Sequence, residues 1–219
     1  MIDSFRLCLA LGPVAVYLLL IGALNVFRRP FLVSGTRDTA ALGLCLSGLV
    51  FVGPVEFFVP MAAILTFKQY VWVFLISLYA LSLVLVLLMS RPRLVIYNVT
   101  LADVRPPLAD VATQLDDDAR WAGDSLVLPN LGVRLHIDFS PAMRNVSLVS
   151  SGPDQDHLGW RRLEQALSSA LLRLEVPRNP RGISLITAGM LLGLALFGVI
   201  ARDPRAVFDS LAGMLQMTR

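Results

Sequence analysis

The side chains in this sequence with the means to do chemistry are few and scattered. Glu56, in Gly53-Pro54-Val55-Glu56-Phe57-Phe58, stands within a long apolar stretch. A carboxyl in hydrocarbon is costly to ionise and commonly marks a proton or ion path. Glu56 falls near the outer end of its stretch, however, where water and headgroups are in reach, so an interfacial or packing role is the leading reading. His136 and Asp138 are two apart in a β-like segment and so share one face of a strand, where an imidazole and a carboxylate can exchange protons. His157 follows Asp154 and Asp156. No third group or nucleophile motif joins either histidine, and catalysis is not expected from them. Asp116-Asp117-Asp118 groups three carboxylates but lacks the Asp-x-Asp-x-Asp-Gly spacing of a calcium loop, and reads as a solvated helix end. Asn98-Val-Thr100 and Asn145-Val-Ser147 match glycosylation sequons inside β-like segments and are taken as chance matches. The sequence has no phosphate-binding glycine loop, zinc pattern or serine elbow. The apolar runs hold no histidine to ligate haem, so neither cofactor nor metal is expected.

The elements around these residues are mostly apolar. Of 219 residues, 56% are hydrophobic, and the mean hydropathy of +0.68 is too high for an ordinary water-soluble chain. The apolar residues clump into runs near the ~20 needed to cross a ~30 Å hydrocarbon core as helix. Residues 7–27 form the first; with arginines after rather than before it, it reads as an uncleaved span and not a signal peptide. Residues 39–58 form a second, interrupted by Pro54, and residues 70–90 a third, without charge and flanked by Tyr70 and Trp72. The fourth covers 183–201 and carries Gly189 and Gly193 at a spacing that lets two membrane helices approach closely. Cys8 and Cys45 lie in different runs and read as small packing residues. Residues 203–219 place Val207, Phe208, Leu211, Met214 and Leu215 on one helical face, as expected of an amphipathic helix lying in the membrane interface or against a partner.

One long polar segment, residues 91–181, lies between the third and fourth runs. Residues 93–100 alternate as a strand, and 101–115 have helical periodicity, with the helix proper expected to start at Pro106-Pro107. Strands are expected over 125–128, 133–139 and 145–150, with 119–122 a possible addition. Residues 158–176 carry the stripe Trp160, Leu163, Leu167, Leu171 and Leu174 of a packed helix. Residues 28–38 read as a polar connection. The expected fold is an α-helical integral membrane protein of four transmembrane helices, with a small α+β domain of order β-α-β-β-β-α between the third and fourth.

Arginines and acids balance across the polar segment, which lacks the basic face of a nucleic-acid-binding domain. Arg28, Arg29 and Arg37, then Arg91 and Arg93, then Arg178 and Arg181 flank the apolar runs on one side. The positive-inside rule therefore places the polar domain in the cytoplasm of a multi-pass cell-membrane protein, with both termini opposite. Arg91, Arg93, Arg178 and Arg181 are candidate headgroup contacts. Packing features outnumber chemical ones, so the expected role is a non-catalytic accessory or structural subunit of a membrane complex, its partners other membrane subunits and the bilayer. The alternative is a small transporter or channel component using Glu56.

Overall fold

The computed structural model describes residues 4–55, 70–141, 143–202 and 204. Two compact units divide the chain. An apolar unit takes it up to Leu20, from Ala40 to Met89 and from Leu185 onward; a sheet unit takes Ile21–Thr39 and Ser90–Ser184.

Three helices among the described residues are long and apolar enough to cross a membrane: α1 (Ser4–Val26), α3 (Tyr70–Met89) and α6 (Pro180–Arg202). The expected span over 39–58 differs. Its helix, α2 (Gly35–Val50), has 16 residues, about 24 Å at 1.5 Å per residue and short of a ~30 Å core. A π-helical turn over Phe51–Val55 follows. Pro54 has no N–H to close an ordinary α-turn there. The four-span count is therefore not directly supported by the described helices.

Small residues carry the packing of the apolar unit. A Cβ on Gly48 would stand 2.0 Å from the Leu9 carbonyl oxygen, so α1 and α2 touch backbone to backbone. The Tyr79 hydroxyl on α3 donates to the Gly43 carbonyl at 2.6 Å, fastening α3 to α2. Gly189 lies against Leu19 and Ala15 of α1, whereas a Cβ on Gly193 would meet nothing within 4 Å. Gly189 thus packs on α1, and the close approaches at Gly43 and Gly48 have a spacing that matches no familiar membrane motif.

The sheet unit holds β1 (Phe31–Ser34), β2 (Arg93–Tyr97), α4 (Leu101–Leu115), β3 (Arg120–Ala122), β4 (Ser125–Leu128), β5 (Val133–Ser140), β6 (Asn145–Ser150) and α5 (His157–Leu171). All six strands pair antiparallel in the order β1-β2-β6-β5-β4-β3. Two strands exceed the expected β-α-β-β-β-α order. β3 is the possible addition near 119–122, and β1 comes from the segment read as a connection. β1 is an edge strand of four residues between arginines and a helix start, too short for its alternation to register.

Register explains the core. Leu94 faces Leu148, and Leu148 faces Ile137; Leu135 faces Leu126. These side chains share one face of the sheet and are buried with Val104, Leu108 and Val111 of α4 and Trp160, Leu163, Leu167 and Leu171 of α5. Each fully buried leucine contributes about 1.5–3 kcal/mol of apolar transfer. The periodic stripes on both helices are thus the faces that meet the sheet.

Helix α4 begins at Leu101 rather than at Pro106. Thr100 and Asp103 form a reciprocal capping box, the Thr100 hydroxyl accepting from Asp103 N at 3.4 Å and Thr100 N donating to Asp103 Oδ2 at 3.3 Å. That box holds the first turn ahead of two prolines that remove donors from the helix ladder.

Asp116 corrects the reading of the acidic run as a solvated end. It is buried, and its carboxylate accepts from Asn130 N at 2.7 Å, Asn130 Nδ2 at 2.7 Å, Asp118 N at 3.0 Å and Leu131 N at 3.4 Å. Burial opposes its ionisation, but the backbone donors of Asp118, Asn130 and Leu131, with the Asn130 amide, outweigh it and hold the carboxyl below its ordinary value. A depressed carboxylate stabilises the fold above the unfolded-state pKa of about 3.9 and loses that contribution as pH falls through the native value. Asp116→Asn should therefore lower the melting temperature by several degrees at neutral pH, and its gap from the unsubstituted protein should narrow below about pH 4. Parallel melting curves at pH 7 and pH 3.5 check this; an equal gap at both would refute it.

Candidate functional site

Within the sheet unit, the ends of α1 and α6 meet the strands at a buried polar junction. Three asparagines supply it: Asn25 is 1% exposed, Asn98 0% and Asn179 2%. Buried amides are costly unless satisfied, so their partners define the site. Asn179 Nδ2 donates to Asn25 Oδ1 at 3.2 Å and to the Met143 carbonyl at 3.3 Å. Asn179 Oδ1 accepts from Arg181 N at 3.1 Å, capping the start of α6. Asn25 Nδ2 turns back to the Ile21 carbonyl at 2.8 Å within α1. Asn98 Nδ2 donates to the Phe27 carbonyl at 2.5 Å, from a left-handed backbone at φ 58° that asparagine tolerates.

Backbone bonds finish the junction. Val176 N reaches the Arg28 carbonyl at 2.9 Å and Asn179 N the Asn25 carbonyl at 3.3 Å. A Cβ on Gly182 would lie 2.9 Å from Asn25 Cβ, so α6 can start beside α1 only with hydrogen at that position. At the start of α2, Asp38 accepts from Arg93 Nη2 at 3.1 Å and from the Tyr97 hydroxyl at 2.5 Å. Arg93 also donates to Thr39 Oγ1 at 3.1 Å. These contacts tie three helix ends to β2, Asn98 just after it, and the turn before β6.

The expected headgroup arginines separate by environment. Arg93 is engaged with Asp38, and the Arg181 guanidinium donates to the Pro141 carbonyl at 3.1 Å. Arg91 and Arg178 are exposed. Glu56 and the tail residues Val207, Phe208, Leu211, Met214 and Leu215 lie outside the described residues.

The side of the sheet away from α4 and α5 displays Arg134, His136 and Asp138, all exposed. His136 Nδ1 is 3.2 Å from Ser125 Oγ on the neighbouring strand. Asp138 stands opposite Ser147, and among the described residues no hydrogen bond joins it to the imidazole. The arrangement is a cross-strand polar pair on an open surface, without the oriented base that a nucleophilic serine requires. Asp156, beside His157, caps α5 through Leu158 N at 3.0 Å and Gly159 N at 3.3 Å. Asn98 is buried with its amide donating, which removes it as a glycosylation acceptor in the folded chain. Among the described residues no three His, Cys, Asp or Glu side chains group as metal ligands.

The asparagine junction was not foreseen from sequence. Asn25 is a lone polar residue near the end of an apolar run, and nothing in the sequence marks Asn98 and Asn179 as its companions. No protein-family model, curated protein or solved structure matches the chain.

Proposed function

We propose that the chain is a four-span integral membrane protein acting as a non-catalytic assembly or stabilising subunit of a larger membrane complex. The observation that carries this reading is the buried asparagine junction. It ties residues 25–28 and 176–182 to the turn before β6 and to one another by hydrogen bonds within the sheet unit. A platform held that way suits docking, because little orientational freedom is lost on binding.

The sheet also supports the four-span count. β1 and β2 are hydrogen-bonded neighbours, so the chain between them must return to the side it left. α3 is long and apolar enough to be one crossing, and the proposed span over 39–58 would supply the second of an even pair. The arginines at 28, 29, 91, 93, 178 and 181 all fall in the sheet unit. Under the positive-inside rule that unit faces the cytoplasm.

The surface proposed for docking is the exposed patch of Arg134, His136 and Asp138 on the side of the sheet away from α4 and α5. The full chain, extracted in mild detergent from its native membrane, should migrate with other membrane proteins. Arg134→Glu should release them without changing the melting temperature, since its side chain is exposed. Migration as a lone monomer before any substitution would refute the assembly reading.

A further inference from the structure

A groove of about 610 Å³ opens in the sheet unit between β1, the first turn of α2 and one side of α5. Its polar lining is Arg37, Arg161, Glu164, Gln165, Ser168 and Ser169, and Leu32 and Leu172 form apolar walls. Neither arginine has an ion-pair or hydrogen-bond partner among the described residues, although Arg161 and Glu164 lie one turn apart on α5. Side chains at that spacing have Cβ atoms about 5–6 Å apart and ordinarily pair when charges are opposite. Here two cations and one anion instead face the same open space.

Location narrows what could fill it. Arg37 is two residues before the apolar run that starts at Thr39, so one wall is within a helical turn of the segment assigned to lipid. The ligand must offer an anion to Arg37 and Arg161, a cation to Glu164, and apolar surface to Leu32 and Leu172. Arginine binds phosphate oxygens through its planar donor fork. A phosphodiester with a short-armed primary ammonium meets the polar requirements, and its glycerol and acyl chains meet the apolar one.

We propose that this groove binds the zwitterionic headgroup of a phosphatidylethanolamine-type lipid, the phosphodiester on Arg37 and Arg161 and the ammonium on Glu164. The assignment rests on the chain being in a membrane and is independent of the assembly reading, since lipid retention and partner migration are read separately. Gln165 and Ser168 supply further hydrogen bonds to the ester oxygens.

The test is native mass spectrometry of the full chain in mild detergent. It is titrated in turn with phosphatidylethanolamine, phosphatidylglycerol, phosphatidylcholine and soluble glycerol phosphate. Phosphatidylethanolamine should be retained above the other lipids. R37Q/R161Q should cut its retention at least tenfold, E164Q should reduce it to the phosphatidylglycerol level, and R162Q, outside the groove, should leave it unchanged. All of these side chains except the half-buried Glu164 are exposed, and unchanged melting temperatures would show that the fold survives each substitution. Equal retention of the three lipids, or retention that R37Q/R161Q leaves intact, would overturn the proposal. So would capture of glycerol phosphate with no lipid retained, which would make the groove a soluble-phosphate site.

Discussion

Gly159→Ala should destabilise the sheet unit by roughly 3 kcal/mol, a large share of the ~5–15 kcal/mol that keeps a domain folded. Gly159 lies in the first turn of α5, where a Cβ would stand 2.1 Å from the Leu131 carbonyl oxygen and 2.9 Å from Val133 Cγ2. The valine methyl can shift; the carbonyl cannot readily do so. Leu131 N and Asn130 N are both held by the Asp116 carboxylate, Gly132 N bonds the Pro129 carbonyl at 3.2 Å, and Asp156 N returns to the Gly132 carbonyl at 2.9 Å. Helix α5 would have to lift from the sheet to admit one methyl group. Hydrogen exchange in detergent should show lost protection in β5 and α5. Native-like protection in the variant would mean that the approach of α5 to the 130–132 turn is looser than described.

Asn179→Ala should cost about 3 kcal/mol as well, by a different mechanism and with a different footprint. Removing the amide leaves Asn25 Oδ1, the Met143 carbonyl and Arg181 N without the partners they have now. A buried polar group stripped of its partner costs about 1–3 kcal/mol, and a small cavity adds to that. The loss should concentrate at the junction, so exchange should accelerate around residues 25–28 and 176–182 while β4 and β5 stay protected. Asn179→Asp should behave similarly, because a carboxylate cannot donate to Asn25 Oδ1 or the Met143 carbonyl. Uniform loss of protection across the sheet would show that the junction and the sheet unfold as one.

The contrast between these sites shows what the sequence could and could not reveal. Periodic features were legible: the Trp160–Leu163–Leu167–Leu171 stripe, the alternation over 133–139, and the apolar runs of α1, α3 and α6. Each repeats one physical requirement several times, so the pattern outlasts local noise. β1 was missed because four residues repeat too little. Asp116 was misread because its neighbours Asp117 and Asp118 suggested a solvated run, while its partners Asn130 and Leu131 lie on a distant turn. The asparagine junction was invisible for the same reason: Asn25 and Asn179 are 154 residues apart, and polar pairing has no period. Glycine roles divide in this way too. Gly189 and Gly193 drew notice by their spacing, whereas Gly48, with the tightest backbone approach between α1 and α2, did not.

The edge strand β1 bears on how the protein is made. It leaves the ribosome before α2 and α3, yet its hydrogen-bonding partner β2 follows both. The sheet therefore cannot complete its edge until the intervening apolar segments have been made. Phe31–Ser34 waits meanwhile with its backbone groups unpaired, open to association with other nascent strands. Closing so long a loop is entropically slow, and α2 and α3 paired beforehand through Tyr79 and Gly43 would hold its ends near one another. Synthesis then has a fixed order, the intervening helices first and sheet closure second. A fragment cut at residues 91–181 would lack the strand that finishes the fold, together with Asn25 and Asp38, which anchor it.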